Sequence, residues 1–336
     1  MHKLLLTSSL SLIAMFSTFH WLWSLTKSTP PPRIIESEAP HDYPHDSIRL
    51  LDYAQAADGF WLFEPISPMP DTAPVLVFLH GYGAINPMIY GGWIRHLVQQ
   101  GNVVIYPRYQ WDIMSPSAKK FVPNATKAIQ NALDILENEG HPHPTNDFGY
   151  IGHSFGGSIS AHLSARADSL GLPIPNTVLL AAPGTGPLKA TLLDDYAGIP
   201  ADTRLLTVIH ERDYVVGDAL GIKVHTTATE TPNRLLLYTR MAQVGQQYIT
   251  AGHNEIYALD EAFDTGIRNF TAKRALRIAR TDTLDVDGFW RWQEMLEDPS
   301  VSMQDTSLWS TLPRWPGPSP VIAIGQEMPV AVEAKD

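Results

Sequence analysis

Six short apolar runs recur along this chain without the every-other-residue alternation of a half-exposed strand: VLVFL (75–79), NVVIYP (102–107), FGYIG (148–152), TVLLAAP (177–183), RLLTVIH (204–210) and RLLLY (234–238). A strand apolar at every position must be covered on both faces, and that is the condition of a parallel sheet inside an α/β protein. The windows between the runs read as helices. The clearest carries Ala125, Ala128, Ile129, Ala132, Ile135 and Leu136, an i, i+3, i+4, i+7 stripe that can lie on a sheet. Strand and helix in regular alternation predict a mostly parallel central sheet with helices on both faces. Ahead of them, SIRLLDYA and GFWLFEPI predict two strands joined at Ala57-Asp58-Gly59. The domain is expected to span 46–297, extended by an amphipathic window at Val286, Phe289, Trp290 and Leu296 whose role is packing.

The two ends read differently. Residues 4–25 contain no Asp, Glu, Lys or Arg, and as a helix would reach about 33 Å, enough for a bilayer core. Residues 1–27 are therefore expected to be a signal peptide or a membrane anchor, with Trp21 and Trp23 at the interface. Either role delivers the domain outside the cytoplasm or to a membrane surface. The Pro-rich stretch 28–45 reads as a linker, and His41 and His45 with Asp42 and Asp46 as its solvated surface rather than metal ligands. Residues 298–336, with six prolines from 299 onward and little periodicity, read as a loose or wrapping tail.

Composition removes several classes of function. With 24 Lys+Arg against 35 Asp+Glu, the net charge of −11 argues against binding nucleic acid. The absence of cysteine excludes disulfides, thiolate metal centres and a Cys nucleophile. His141 and His143 lack a visible third ligand, so no metal site is expected.

Sites of α/β sheets lie at the carboxyl ends of strands. After FGYI comes Gly152-His153-Ser154-Phe155-Gly156-Gly157, followed by a helical window through Ala165. This is G-x-S-x-G between a strand and a helix, a spacing that holds a serine on a strained turn while glycines let the two elements approach. After VLVFL comes His80-Gly81-Tyr82-Gly83, where a backbone N–H, that of Tyr82, is positioned to pair with that of Phe155 as two anion donors. After RLLTVIH comes Glu211-Arg212-Asp213-Tyr214-Val215-Val216. Asp213 is the candidate acid there, with Glu211 and Asp218 as alternatives. After RLLLY, His253 stands in a Gly-flanked loop where a base is required, with His225 as its rival. Tyr109 and Trp111, from a set of aromatics that includes Tyr82, Tyr90, Trp93 and Phe155, are candidate substrate-binding residues.

The chain order Ser154, Asp213, His253, the HG turn after the third strand, the G-H-S-F-G-G elbow and the D-x-x-V step at Asp213–Val216 resemble the α/β-hydrolase superfamily over about residues 46–280. Within it the layout looks like the dienelactone hydrolase, chlorophyllase and cutinase-like polyesterase group. The resemblance implies an α/β-hydrolase fold without a large lid domain, because the connection GTGPLKATLLDDYAGIPADT is short. It also implies Ser154 as nucleophile, His253 as base, Asp213 as its orienter, and Tyr82 and Phe155 as oxyanion donors. No cofactor is implied, and the expected partner is a small-molecule or polymeric ester. An acyltransferase or perhydrolase would use the same residues, and a membrane-tethered binding protein would retain only the fold. Two departures are the 14 or so residues between RLLLY and His253 and the missing disulfide of secreted cutinase-like enzymes.

Overall fold

The computed structural model describes residues 31–36, 43–114 and 117–326. Residues 4–25 lie outside them. Among the described residues no helix is long and apolar enough to cross a membrane.

Ten strands form one sheet in the order β1-β2-β3-β5-β4-β6-β7-β8-β9-β12. They are β1 (Arg33–Glu36), β2 (Ser47–Asp52), β3 (Phe60–Ile66), β4 (Thr72–Leu79), β5 (Val103–Pro107), β6 (His143–His153), β7 (Thr177–Ala181), β8 (Arg204–His210), β9 (Arg234–Thr239) and β12 (Val321–Ile324). A separate hairpin, β10 (Ala242–Val244) with β11 (Gln247–Ile249), follows β9. The six strands β5, β4, β6, β7, β8 and β9 are mutually parallel, and antiparallel strands close both edges. This is the α/β architecture that the alternation predicts, a mostly parallel sheet covered on both faces, with no large lid domain among the described residues.

The apolar runs lack alternation because each face of the sheet has its own core. Leu76, Phe78, Val104, Tyr106, Ile151, Leu179, Ala181, Leu206 and Val208 pack on one face. Val75, Val77, Leu79, Val103, Ile105, Tyr150, Val178, Leu180 and Leu205 pack on the other. The first core is covered by helix α1 (Gly91–Gln99) and by later helices. The second is covered by α2 (Phe121–Leu136), α3 (Phe155–Ala165) and α4 (Ala219–Thr227). On α2 the expected stripe is buried at Ala125, Ala128, Ile129, Ala132 and Leu136, while Ile135 sits at its margin.

The stretch read as linker departs from expectation. Arg33–Glu36, within the stretch read as linker, pairs with β2 as an edge strand, and His45 is buried with its Nδ1–H donating to Pro68 O at 2.6 Å. The tail from 298, read as loose or wrapping, is of the wrapping kind. Val321–Ile324 pairs antiparallel with β9, and Trp309, Leu312 and Trp315 enter the core. Prolines gave this segment the look of a tail, but three aromatic and aliphatic anchors bury enough apolar surface to hold it without periodicity. The window at 284–297 forms a π-helical turn (Leu284–Trp290) and a helix. In it Phe289 packs on Trp93 and Trp290 stacks on His96.

Candidate active site

Strand β6 ends at His153, and α3 begins at Phe155, so Ser154 has to turn the chain between them. It does so at φ 54°, ψ −119°, a conformation that a side chain disfavours. The neighbours hold it there: Ser154 N–H donates to Ala181 O at 2.9 Å, and Gly184 and Ser158 N–H both donate to Ser154 O. The glycines are required by contact. A Cβ on Gly156 would lie 2.0 Å from Leu79 O, and one on Gly152 would lie 2.3 Å from Ser160 Oγ.

Three side chains from separate connections meet at this rim. His253 Nε2 lies 2.9 Å from Ser154 Oγ, and His253 Nδ1 lies 2.8 Å from Asp213 Oδ2. A carboxylate oxygen only accepts, so Nδ1 carries the ring proton and Nε2 presents a lone pair to the serine hydroxyl. Asp213 Oδ1 accepts the N–H groups of Val215 and Val216 at 2.9 and 3.0 Å, which completes its hydrogen bonding. Burial alone raises this carboxyl, but the hydrogen bond and charge of His253, with those two N–H groups, outweigh it and hold Asp213 below the ordinary carboxylate value. All three residues are buried.

The hairpin β10–β11 accounts for the long spacing before His253: it folds out of the sheet and returns the chain to the rim. There Arg212 N–H donates to Ala251 O at 2.9 Å, and Arg212 bridges Gly252, tying the acid loop to the histidine loop.

Two of the three alternatives are engaged elsewhere. Glu211 accepts Met241 N–H, and His225 Nε2–H donates to Gly325 O at 2.7 Å. His210 faces Thr239, and burial lowers it to about 4. Among the described residues no group of His, Cys, Asp or Glu is arranged to hold a metal ion.

A cavity of about 340 Å³ opens beside Ser154, lined by Tyr82, Phe155, the segment Gly184–Leu188, Val215 and Val216. Tyr82 and Phe155 thus share it with the serine. The N–H groups that flank Tyr82 are committed: that of Gly81 donates to Tyr90 Oη at 3.0 Å and that of Gly83 to Gln110 Oε1 at 2.9 Å. Phe155 is the first residue of α3, so its N–H has no acceptor within the helix.

Tyr109 and Trp111 do not line this cavity. Tyr109 is fully buried, stacked on His80 with its hydroxyl donating to His80 O at 2.6 Å, because the core beneath the turn needs a large ring. Trp111 is exposed, with the Arg108 guanidinium 3.9 Å above its ring.

Sequence reading missed a second layer. His153 Nε2–H donates to His253 O at 2.9 Å, and its Nδ1 accepts from Tyr90 Oη at 2.8 Å. Burial drives His153 well below the ordinary histidine range, so it stays neutral and serves both partners. The chain Gly81 N–H, Tyr90, His153, His253 O therefore links three loops across 63 and 100 residues of sequence. Local pattern carries no signal of it. The segment Gly184–Leu188 was likewise legible only as a connection.

Two residues beyond His253 lies Glu255, buried, with its Oε1 accepting Gly252 N–H. Burial, assisted by the Asp282 carboxylate, pushes it from 4.5 up to about 7. The folded state then keeps a proton that the unfolded chain releases above 4.5, so stability falls as pH rises from there through about 7. Glu255→Gln is expected to melt above wild type at about pH 8, by at most ~3 kcal/mol of stability, and to match it near pH 5. Melting curves at the two pH values check this, and an equal shift at both would contradict it.

No protein-family model matches this chain, and no curated protein matches it. A solved structure of carboxyl esterase 2 from the mycorrhizal fungus Tuber melanosporum aligns at 17% identity and a TM-score of 0.43, covering 78% of this chain and 95% of that one.

Proposed function

We propose that this protein is a serine hydrolase that cleaves carboxylic esters through an acyl-enzyme, with Ser154 as nucleophile, His253 as general base and Asp213 as its orienter. The observation that carries the reading is the unbroken array Asp213 Oδ2, His253 Nδ1, His253 Nε2, Ser154 Oγ at 2.8 and 2.9 Å. His253 takes the hydroxyl proton at Nε2 as Ser154 Oγ attacks the acyl carbonyl. The imidazolium that forms faces Asp213, which stays ionised and does not take the proton. Charge developing on the carbonyl oxygen is met by the N–H groups of Tyr82 and Phe155, the first in a turn whose neighbouring donors are already used, the second at a helix N-terminus. His253 then gives its proton to the leaving alkoxide, which departs as the alcohol. Water, deprotonated by the same nitrogen, attacks the acyl-enzyme and frees Ser154.

The apolar cavity beside Ser154 receives the acyl chain. A fluorophosphonate probe tests the reading: labelling of wild type at Ser154, with release of acid and alcohol from short-chain esters, is expected. Absence of both would remove it. Product analysis with competing alcohols separates hydrolysis from acyl transfer.

Tyr90 and His153 position the reacting groups without touching substrate. Tyr90→Phe leaves Gly81 N–H and His153 Nδ1 without partners, costing about 1–3 kcal/mol of stability. Because Gly81 precedes the Tyr82 donor and His153 holds His253 O, kcat is expected to fall about tenfold or more with KM little changed. Urea titration and steady-state kinetics check both; an unchanged kcat would show that the network is not needed for positioning.

A further inference from the structure

A second cavity, also about 340 Å³, is lined by His253 itself and in part by Arg212, Glu255, Arg274, Arg280 and Asp282. Val215 lines both cavities. Its charges do not cancel. Arg280 Nε lies 3.0 Å from Asp282 Oδ2, which pairs these two. Glu255 accepts Gly252 N–H and, titrating at about 7, supplies only part of a negative charge near neutrality. Arg212 and Arg274 have no carboxylate within ion-pair distance among the described residues. Two exposed guanidinium groups without a carboxylate partner thus line one concavity of a chain whose net charge is −11. Arg212 is moreover held by its backbone bridge to Gly252, next to His253, while Arg274 comes from helix α5 (Phe270–Ile278).

The chemistry assigns the two cavities different halves of an ester. The leaving oxygen must take its proton from His253 Nε2, so the alcohol half lies toward the side that His253 lines, and the apolar cavity keeps the acyl half. We propose that the charged cavity is a subsite for an anionic group on the alcohol half, so that the favoured substrates join an apolar acyl group to an alcohol bearing a carboxylate or a phosphate. Guanidinium groups read either anion through charge-assisted N–H donors. The inference rests on the serine-hydrolase reading above.

The test uses the full protein and a pair of butyrate esters that differ in one charge, 4-carboxyphenyl butyrate and its methyl ester, 4-(methoxycarbonyl)phenyl butyrate. The quantity read is the ratio of kcat/KM, anionic over neutral, in wild type and in Arg212→Gln/Arg274→Gln; comparing ratios cancels the intrinsic reactivity of each ester. The ratio is expected to drop about tenfold in the double variant, to survive largely in Arg212→Lys/Arg274→Lys, and to shrink in wild type at about 0.5 M salt. A ratio within twofold of wild type in the Gln variant, or one indifferent to salt, overturns the subsite. A 4-phosphonophenyl ester run alongside distinguishes the anions: a steeper drop assigns the phosphate class, an equal or shallower one the carboxylate. Failure is separable by cause. Wild type that hydrolyses the neutral ester and labels at Ser154 but shows no ratio effect disproves only the subsite, whereas wild type that does neither disproves the hydrolase reading.

Discussion

Ser154→Ala is expected to lower kcat on a short-chain ester by roughly 10³- to 10⁶-fold while leaving the fold intact. The substitution removes only Oγ. The backbone keeps its φ of 54°, for which alanine is no better suited than serine, and the three hydrogen bonds that pin the turn are all to main chain at residue 154. His253 stays hydrogen-bonded to Asp213 and, through its carbonyl, to His153, so under the proposed mechanism the imidazole is kept while the hydroxyl it would activate is gone. The melting temperature should therefore scarcely move while turnover and probe labelling disappear. Other hydroxyls nearby are poor substitutes, since Ser158 is buried against Thr191 and Ser160 is buried in α3. Activity within tenfold of wild type would place the nucleophile elsewhere.

The largest structural effect is expected at Gly156. An alanine Cβ there would lie 2.0 Å from Leu79 O, 2.4 Å from Leu79 C and 2.5 Å from His80 O. All three are backbone atoms of the central strand and the turn that leads to Tyr82, so no flexible side chain can yield. Helix α3 has to move off β4, which breaks the elbow and separates Ser154 from the Tyr82 donor together. The cost should exceed the ~1–3 kcal/mol of ordinary overpacking, lowering the melting temperature by roughly 10 °C or preventing soluble expression. Gly325→Ala, with open space around its Cβ, is the matching control and should stay within about 0.5 kcal/mol. Comparable melting of the two variants would contradict the contact argument.

Much of the layered fold was readable because its signal is local. A strand covered on both faces must be apolar at successive positions, and a helix lying on a sheet must repeat near every 3.6 residues; both rules act within one element. Ser154 was visible for a similar reason, as the strain of its turn demands glycines at fixed offsets. Asp213 and His253 were candidates by their order after successive strands, and the structure brings them within hydrogen-bond distance of one another and of Ser154. The hairpin that returns His253 to the rim was only a surplus of residues.

What escaped reading depends on contacts between distant segments. Arg33–Glu36 looked like linker because a four-residue edge strand has too little length to show a period, and it exists by pairing with β2. The tail was legible only as loose or wrapping because its prolines mask Trp309, Leu312 and Trp315, whose burial is supplied by the rest of the core. Tyr109 and Trp111 carried the residue type of a binding pocket, yet only packing decides whether a ring faces ligand, core or solvent.

The amino-acid order alone determined the layered class and marked Ser154, Asp213 and His253 as candidates, since backbone sterics and apolar periodicity are properties of neighbours in the chain. The tertiary structure decided that Tyr90 and His153 are hydrogen-bonded to one another and to the His253 carbonyl, that Gly184–Leu188 walls the cavity beside Ser154, and that Arg212 and Arg274 line one cavity. Those relations arise when loops some 10 to 200 residues apart converge at one rim of a sheet, and a hydrogen bond or an unpaired charge has no meaning until its surroundings are assembled.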